Sequence, residues 1–287
     1  MDTPAAVFNT HRQRLFGIAY RMLGSRAEAE DVLQDAYLRW HETDTSEIRT
    51  PEAWLVTSVT RLAIDRLRTL KTEREHYPGD WLPEPLVGEG PPTPEGVVEM
   101  ASDVSMAFLM VMERLAPEER AAFLLREVFE VDYPEVAQML GKSEATVRQS
   151  VHRARERVRE SKPRFAVSRA AHIKLLERFV AAARGGDRKD LAALFADDVR
   201  VTGDGGGKVT AILRPLHGTE RVVRFFQVID RQHAGLEYRL AEINGAPSLL
   251  RYINGKLDAA QIMVTDGVKI LEIYIVRNPD KLQGIAG

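Results

Sequence analysis

Apolar residues recur at helical spacing along the first 75 positions. Residues 4–23 place Phe8, Leu15, Ile18, Ala19 and Met22 on one face, and Gly24 ends the run. Ser25 and Glu28 form the S-x-x-E signature of a capping box, which opens a helix that buries Ala29, Val32, Leu33, Ala36 and Trp40. After the polar loop "HETDTSEIRT", Thr50-Pro51-Glu52 starts a long helix with proline in its first turn, running to about Glu75. A second helical module begins around Ser105. There "LAPEERAAFLLREVFEVDYPEVAQML" predicts two helices broken at Asp132-Tyr133-Pro134, and Gly141 then turns the chain into a basic helix capped by Ser143. In that last helix Val147, Val151, Ala154 and Val158 make one buried stripe, with Arg148, Gln149, His152 and Arg155 on the opposite side.

From about Ser168 the texture changes. A helix burying Ile173, Leu176, Phe179 and Val180 is followed by a short helix "DRKDLAALF" and later by "TERVVRFFQVI", capped by Thr219. The rest reads as strands: "VRVTG", "VTAILR", "LEYRLAEI", "SLLRYI", "AAQIMVT" and "VKILEIYIV", with Asn254-Gly255 and Asp266-Gly267 as hairpin turns. The expected fold is therefore multidomain: two all-α domains, the second a helix-turn-helix, and a C-terminal α+β domain whose helices cover one face of a curved antiparallel sheet.

Composition changes this picture in two places. Residues 77–96 hold six prolines and four glycines, a mixture that defeats helix and sheet alike and marks a linker. The net charge of −2 argues against a nucleic-acid partner, but charge is segregated: residues 142–164 carry eight Lys/Arg against three Asp/Glu, whereas 76–103 carry six Asp/Glu and no Lys/Arg. Phosphates respond to the local field, so the basic helix remains a candidate. A basic amphipathic helix alone is more often a solvated face. A preceding helix and glycine turn reverse that balance. The absence of cysteine excludes disulfides and thiolate chemistry. No apolar run approaches the roughly 20 residues of a membrane span, and the first residues lack signal-peptide order, so a cytoplasmic protein with no membrane contact is expected.

The two helical modules together resemble the extracytoplasmic-function sigma factors of bacterial RNA polymerase. "AEDVLQDAYLRW" (29–40) resembles that family's core-binding region and "PEAWLVTSVTRLAIDRLR" (51–68) its minus-ten recognition helix, while residues 115–158 follow its minus-thirty-five reader almost motif by motif. The third module resembles the SnoaL-like cone-shaped fold, and "WLPEP" (81–85), "DGGGK" (204–208) and "NPDKL" (278–282) are similar to motifs of the sigma-factor group with a fused SnoaL-like extension. The resemblance implies four segments: region 2 at 1–76, an acidic linker at 77–104, region 4 at 105–164, and a regulatory domain at 168–287. It implies core RNA polymerase and promoter DNA as partners, regulation in cis by intramolecular contacts of the third domain with linker and sigma domains, no cofactor and no catalytic residue.

Site residues follow from the same comparison. Asp31, Gln34, Asp35 and Leu38 share a helix face and are implied to dock on polymerase; on spacing alone they read equally as a solvated face. At the minus-ten element the polar loop with Asp44 and Ser46 is expected to hold an unstacked base, and Arg61, Arg66 and Arg68 to neutralise phosphates. Arg61 stands where relatives commonly have Asn, and Asp65 is also placed to pair with Arg61 or Arg68. For the minus-thirty-five element, Arg148, Gln149 and His152 are expected at base edges and Lys142, Arg153 and Arg155 on the backbone; Ser150 stands where relatives commonly have Arg.

"DGGGK" lacks the Ser/Thr that follows Lys in a Walker loop, so Asp204, Gly205, Gly206, Gly207 and Lys208 read as a tight turn or docking surface. Trp81, Leu82 and Pro83 are expected to anchor the linker there, and Asn278, Pro279, Asp280 and Lys281 to add regulatory contacts. His172, His217, His233, Asp187 and Asp204 supply acid and base types, but no spacing brings two of them to one substrate. Catalysis therefore ranks below ligand sensing, with the small ligand unidentified, and both rank below a purely intramolecular role.

Overall fold

Twenty residues, Pro4–Leu23, form α1, capped by the Thr3 hydroxyl and ended by Gly24 in the left-handed region at φ 67°. Helix α2 spans Arg26–Glu42 and α3 Pro51–Glu75, with a single 3-10 turn at Thr45–Glu47 between them. The three pack through the expected stripes: Leu15, Ala19, Ala29, Leu33, Ala36, Leu55 and Val59 are buried. Each fully buried aliphatic side chain contributes about 1.5–3 kcal/mol. The Ser25 hydroxyl caps Glu28 N, as a capping box requires, but the Glu28 carboxylate is gripped by Arg66 of α3. The computed structural model describes residues 3–87, 105–161, 167–185 and 188–285, so linker residues 88–104, the boundary at 162–166 and Asp187 lie outside the described residues.

The second module contains α4 (Met106–Met112), α5 (Pro117–Phe123), a π-helical turn at Leu124–Val128, α6 (Tyr133–Leu140) and α7 (Glu144–Ser161). The break falls slightly earlier than the Pro134 signal, with Glu130 in the left-handed region, so Tyr133 and Pro134 already open α6. Gly141 at φ 62° makes the turn, Ser143 Oγ accepts from Thr146 N, and Val147, Val151, Ala154 and Val158 are buried.

The chain divides into two compact units, Met1–His76 with Phe108–Ser161 and Tyr77–Ala107 with Lys162–Gly287. The two helical modules are thus one packed body. A buried ionic knot fastens them: Glu113 receives Arg74 on one oxygen and Arg120 on the other (2.8 Å), while the two guanidiniums also donate to the carbonyls of Leu23 (2.9 Å) and Met22. These carbonyls are the orphan acceptors at the end of α1.

In the second unit α8 (Arg169–Gly185) and α9 (Arg188–Leu194) lead into β1 (Phe195–Asp204); then follow β2 (Leu216–His217), α10 (Thr219–Gln232), β3 (Leu236–Ile243), β4 (Ala246–Ile253), β5 (Lys256–Thr265), β6 (Ile270–Val276) and the single turn α11 (Pro279–Leu282). The core joins Leu176, Phe179, Leu194, Val222, Phe226 and Ile273, so helices cover a sheet face as expected of an α+β cone.

Several expectations are corrected. The sheet, ordered β2-β1-β6-β5-β4-β3, is mixed: β1 and β6 run parallel, because β1 returns to β6 only after a helical crossover and a three-strand meander. "VTAILR" is not a strand; Ile212 packs against Gly203, and β1 pairs instead with Leu216–His217. On α8 the buried stripe is Leu175, Leu176, Phe179, Ala182 and Ala183, leaving Ile173 and Val180 half-buried. The cap of α10 is Gly218, and Thr219 uses its hydroxyl on Ala196 O. Asn254-Gly255 adopts the left-handed pair that a tight hairpin demands, and Asn244-Gly245 does the same between β3 and β4.

Candidate nucleic-acid interface

The polar side of α7 is exposed along its length. Lys142, Arg148, Gln149, His152, Arg153 and Arg155 all face solvent, on a helix that Val151 and its stripe lock against α5 and α6. Part of this charge, at Arg148 and Arg155, is already partnered within the helical unit. Arg148 bonds Glu144 at 3.0 Å and lies 4.1 Å above the Tyr133 ring. Arg155 reaches Glu127 through two nitrogens (2.7 and 3.2 Å), which holds its pKa above the ordinary value, and Arg157 reaches Glu119 at 2.9 Å. His152 lies 3.7 Å from Glu156.

The expected minus-ten residues occupy two places. Asp44 caps the 3-10 turn through Ser46 N at 3.0 Å, a bond that lowers its pKa. Arg61 donates to the Met139 carbonyl of α6 at 2.9 Å. Arg68 bonds Asp65 (2.8 Å) and Glu118 of α5, so Asp65 pairs with Arg68. Arg66 is turned toward Glu28 and Glu73; its hydrogen bonds to Glu28 raise its pKa and hold it along α2. The candidate face of α3 is therefore engaged by the second module at two of its three arginines.

Sequence reasoning missed what lies between. A cleft of about 620 Å3 is bounded by Arg39, Trp54, Thr57, Ser58 and Arg61 on one side and by Glu135, Gln138 and Met139 of α6 on the other. The half-buried Trp54 packs against Trp40, 5.2 Å between ring centres, and presents an aromatic wall beside Thr43 of the polar loop. The "PEAW" stretch carried the signal: a tryptophan one turn into a helix, next to a polar loop.

Asp31, Gln34, Asp35 and Leu38 are exposed on one face of α2, Leu38 by 49%. Beside Gln34 a groove of about 410 Å3 runs between α1 and α2 past Phe8 and Tyr37.

In the second unit the three short motifs meet. Asp204, fully buried at the end of β1, accepts from the Tyr77 hydroxyl (2.6 Å), Leu82 N (2.9 Å), Gly206 N (3.0 Å) and Lys281 Nζ (2.7 Å). Lys281 also donates to Leu82 O and sits 4.1 Å from the Trp81 ring centre, and Asn278 donates to the Tyr77 hydroxyl at 3.0 Å. Burial, and then the bond to Asp204, push the Tyr77 phenol well above its ordinary pKa. The glycines make room: a Cβ at Gly206 would meet Asn278 at 2.4 Å and one at Gly207 would meet Pro78 at 2.9 Å. Pro83 is buried, while Lys208 bonds Asp280 on the surface at 2.6 Å. The strap 77–87 ends on the edge strand, where Val87 bridges Ile243 and Leu86 exchanges hydrogen bonds with Asn244.

Among the described residues the acid and base candidates do not converge, Asp187 lying outside them. Asp204 is consumed by the strap, His172 lies on α8 and His217 on exposed β2, and only His233 lines the cavity beneath α10. Among the described residues there is no cluster that could hold a metal, and no helix long and apolar enough to cross a membrane.

Comparison with known proteins bears on the family of the chain. The family models for Sigma-70 region 2 and Sigma-70, region 4 match residues 7–73 and 105–158. The chain is 39% identical to the ECF RNA polymerase sigma factor SigJ of Mycobacterium tuberculosis, covering 96% of this chain and 92% of that one, and 27% identical to the probable ECF RNA polymerase sigma factor SigI of the same organism over 98% and 95%. It also matches the crystal structure of M. tuberculosis SigJ with a TM-score of 0.77 at 36% identity, over 96% of this chain and 97% of that one. Two sigma-70 modules in order, followed by an α+β domain along a relative matched nearly end to end, place the chain in the family of extracytoplasmic-function RNA polymerase sigma factors.

Proposed function

We propose that the chain is a promoter-specificity subunit that works in the cytoplasm beside RNA polymerase, performs no chemistry of its own, and is controlled in cis by its C-terminal domain. Residues 1–76 act as region 2, 77–104 as linker, 105–164 as region 4 and 168–287 as the SnoaL-like regulator. Asp31, Gln34, Asp35 and Leu38 dock on core polymerase. Asp44, Ser46 and the Trp54 wall receive an unstacked minus-ten base, with Arg61, Arg66 and Arg68 on phosphates. Lys142, Arg148, Gln149, His152, Arg153 and Arg155 read the minus-thirty-five duplex.

The observation that carries this reading is the closed helical unit. Arg61 and Arg68 of the first module are bonded to Met139 and Glu118 of the second, so the groups needed at the minus-ten element are occupied by the module that reads the other element. Initiation then requires the two modules to part. The strap fastened by Asp204, Asn278 and Lys281 joins the linker to the regulator, and Trp81, Leu82, Pro83, the Gly205–Gly207 turn, Lys208, Pro279 and Asp280 shape that joint.

Run-off transcription with purified core enzyme tests the proposal. Promoter-dependent transcripts should appear only with the chain added, and should be lost when Asp35 and Leu38 are replaced together. Removing residues 278–287 should change transcript yield. Transcripts that do not require the chain would overturn the first claim, and an unchanged yield from the truncated chain would overturn the second.

A further inference from the structure

The C-terminal unit holds a cavity of about 440 Å3 between α10, the ends of β1 and β6, and the 210–212 loop. Its wall is apolar over Ile212, Phe225, Val228, Ile229 and Ile275, with Arg251 and Arg277 set into it. Such a volume, mostly apolar with a few fixed polar groups, is that of a small-molecule site.

The charges are not balanced. Arg251 is 1% exposed; its Nε and Nη2 donate to Asp258 (2.9 and 2.6 Å), its guanidinium also meets the Tyr238 phenol, and its buried Nη1 makes no hydrogen bond of ordinary geometry. Arg277 donates Nη2 to the other oxygen of Asp258 (2.5 Å) and Nη1 to Thr210 O, and its buried Nε also has no acceptor. Burial would raise the Asp258 pKa, but the two arginines outweigh it and hold the carboxyl below its ordinary value. Two guanidiniums share the carboxylate of Asp258, which lies behind the wall, and among the described residues no Asp or Glu lines the cavity itself. Arg251 is buried and Arg277 partly so; a pair with one positive charge beyond what Asp258 balances is a ready seat for a further anion.

We propose that this cavity binds a small amphipathic carboxylic acid, its apolar body against Phe225, Val228, Ile229 and Ile275 and its carboxylate against the Arg251–Arg277 pair. The position suits a sensor. Gly203 and Arg277 form cavity wall, and the next residues, Asp204 and Asn278, hold Tyr77 of the strap.

Octanoate and 1-octanol, titrated calorimetrically into the full-length protein at neutral pH, test the proposal, since they share the apolar body and differ in the anion. Octanoate should bind at one site, at least about tenfold more tightly than octanol, a factor equal to about 1.4 kcal/mol. Val228→Trp, which fills the cavity from its exposed rim, should weaken octanoate binding about tenfold or more. Arg251→Gln leaves Asp258 paired with Arg277 and should remove the preference for octanoate while octanol still binds. Absence of octanoate binding, equal affinity for the two probes, or binding untouched by Val228→Trp would overturn the proposal. If Arg251→Gln does not fold, the probe comparison and Val228→Trp decide it.

Discussion

Replacing Asp204 by Asn is the most direct test of how the strap is held. The carboxylate faces four donors: Tyr77 Oη and Gly206 N on Oδ1, Leu82 N and Lys281 Nζ on Oδ2. An amide of the same shape offers only one oxygen, turns an NH2 toward two of those donors, and removes the carboxylate charge that faces the buried Lys281. Removing one partner of a buried ion pair costs about 3–5 kcal/mol. Released strap residues can regain water, so most of this loss should appear as local opening and not as global unfolding. The amides of Leu82 and Leu86, both bonded within the strap's seat, should then exchange about a hundredfold to a few thousandfold faster in native-state hydrogen exchange. Lys281→Met added to Asp204→Asn should recover part of the loss, because the orphaned charge is gone. Exchange at Leu82 within about threefold of wild type, with chemical stability changed by less than about 0.5 kcal/mol, would refute the assignment of Asp204 as the strap's fastening.

Other outcomes follow from the same physics. Burial, aided by the nearby Arg169, holds His172 below the ordinary imidazole value of 6.5; since a depressed pKa adds stability that is lost on acidification, urea midpoints of the C-terminal unit should fall as pH drops below 6.5, and His172→Gln should flatten that slope. Glu113→Gln should destabilise the helical unit by about 3–5 kcal/mol by stranding Arg120, whereas Glu118→Gln, which loses only an exposed pair with Arg68, should change it by about 1 kcal/mol or less in equilibrium unfolding. Leu176→Ala, at a fully buried position under the sheet, should cost about 2–5 kcal/mol by thermal or urea melting. Arg153→Ala should weaken promoter binding across sequences and lower the salt slope by about one.

The helical half was legible because its rules are local. Caps at Ser25 and Ser143, glycine stops at Gly24 and Gly141, and stripes three and four residues apart need only neighbours along the chain. The C-terminal sheet was legible in most of its strands and in the hairpins at Asn254-Gly255 and Asp266-Gly267, but not in the pairing of β1. The parallel β1–β6 contact pairs Arg200 with Glu272, 72 residues apart, and alternation in "VTAILR" does not reveal that Gly203 lacks the Cβ that would keep Ile212 away. The motifs "WLPEP", "DGGGK" and "NPDKL" were visible as oddities of composition. That they converge on one carboxylate is tertiary information. Least legible were the partners of the arginines: Arg68 with Glu118, Arg155 with Glu127 and Arg74 with Glu113 span 50, 28 and 39 residues, far beyond any helical period.

Those pairings alter how the protein meets DNA. An arginine already bonded to Glu118, Glu127 or Glu119 brings a tethered anion with it. When a phosphate takes the arginine, the abandoned carboxylate must gather a cation from solution, and this offsets one of the cations shed by the duplex. The salt exponent will accordingly undercount the arginines that touch the backbone. Random duplex, which has only its charge to offer, encounters a surface whose positive charge is partly matched already. A promoter can add base contacts to the exchange, so discrimination begins before any groove is read.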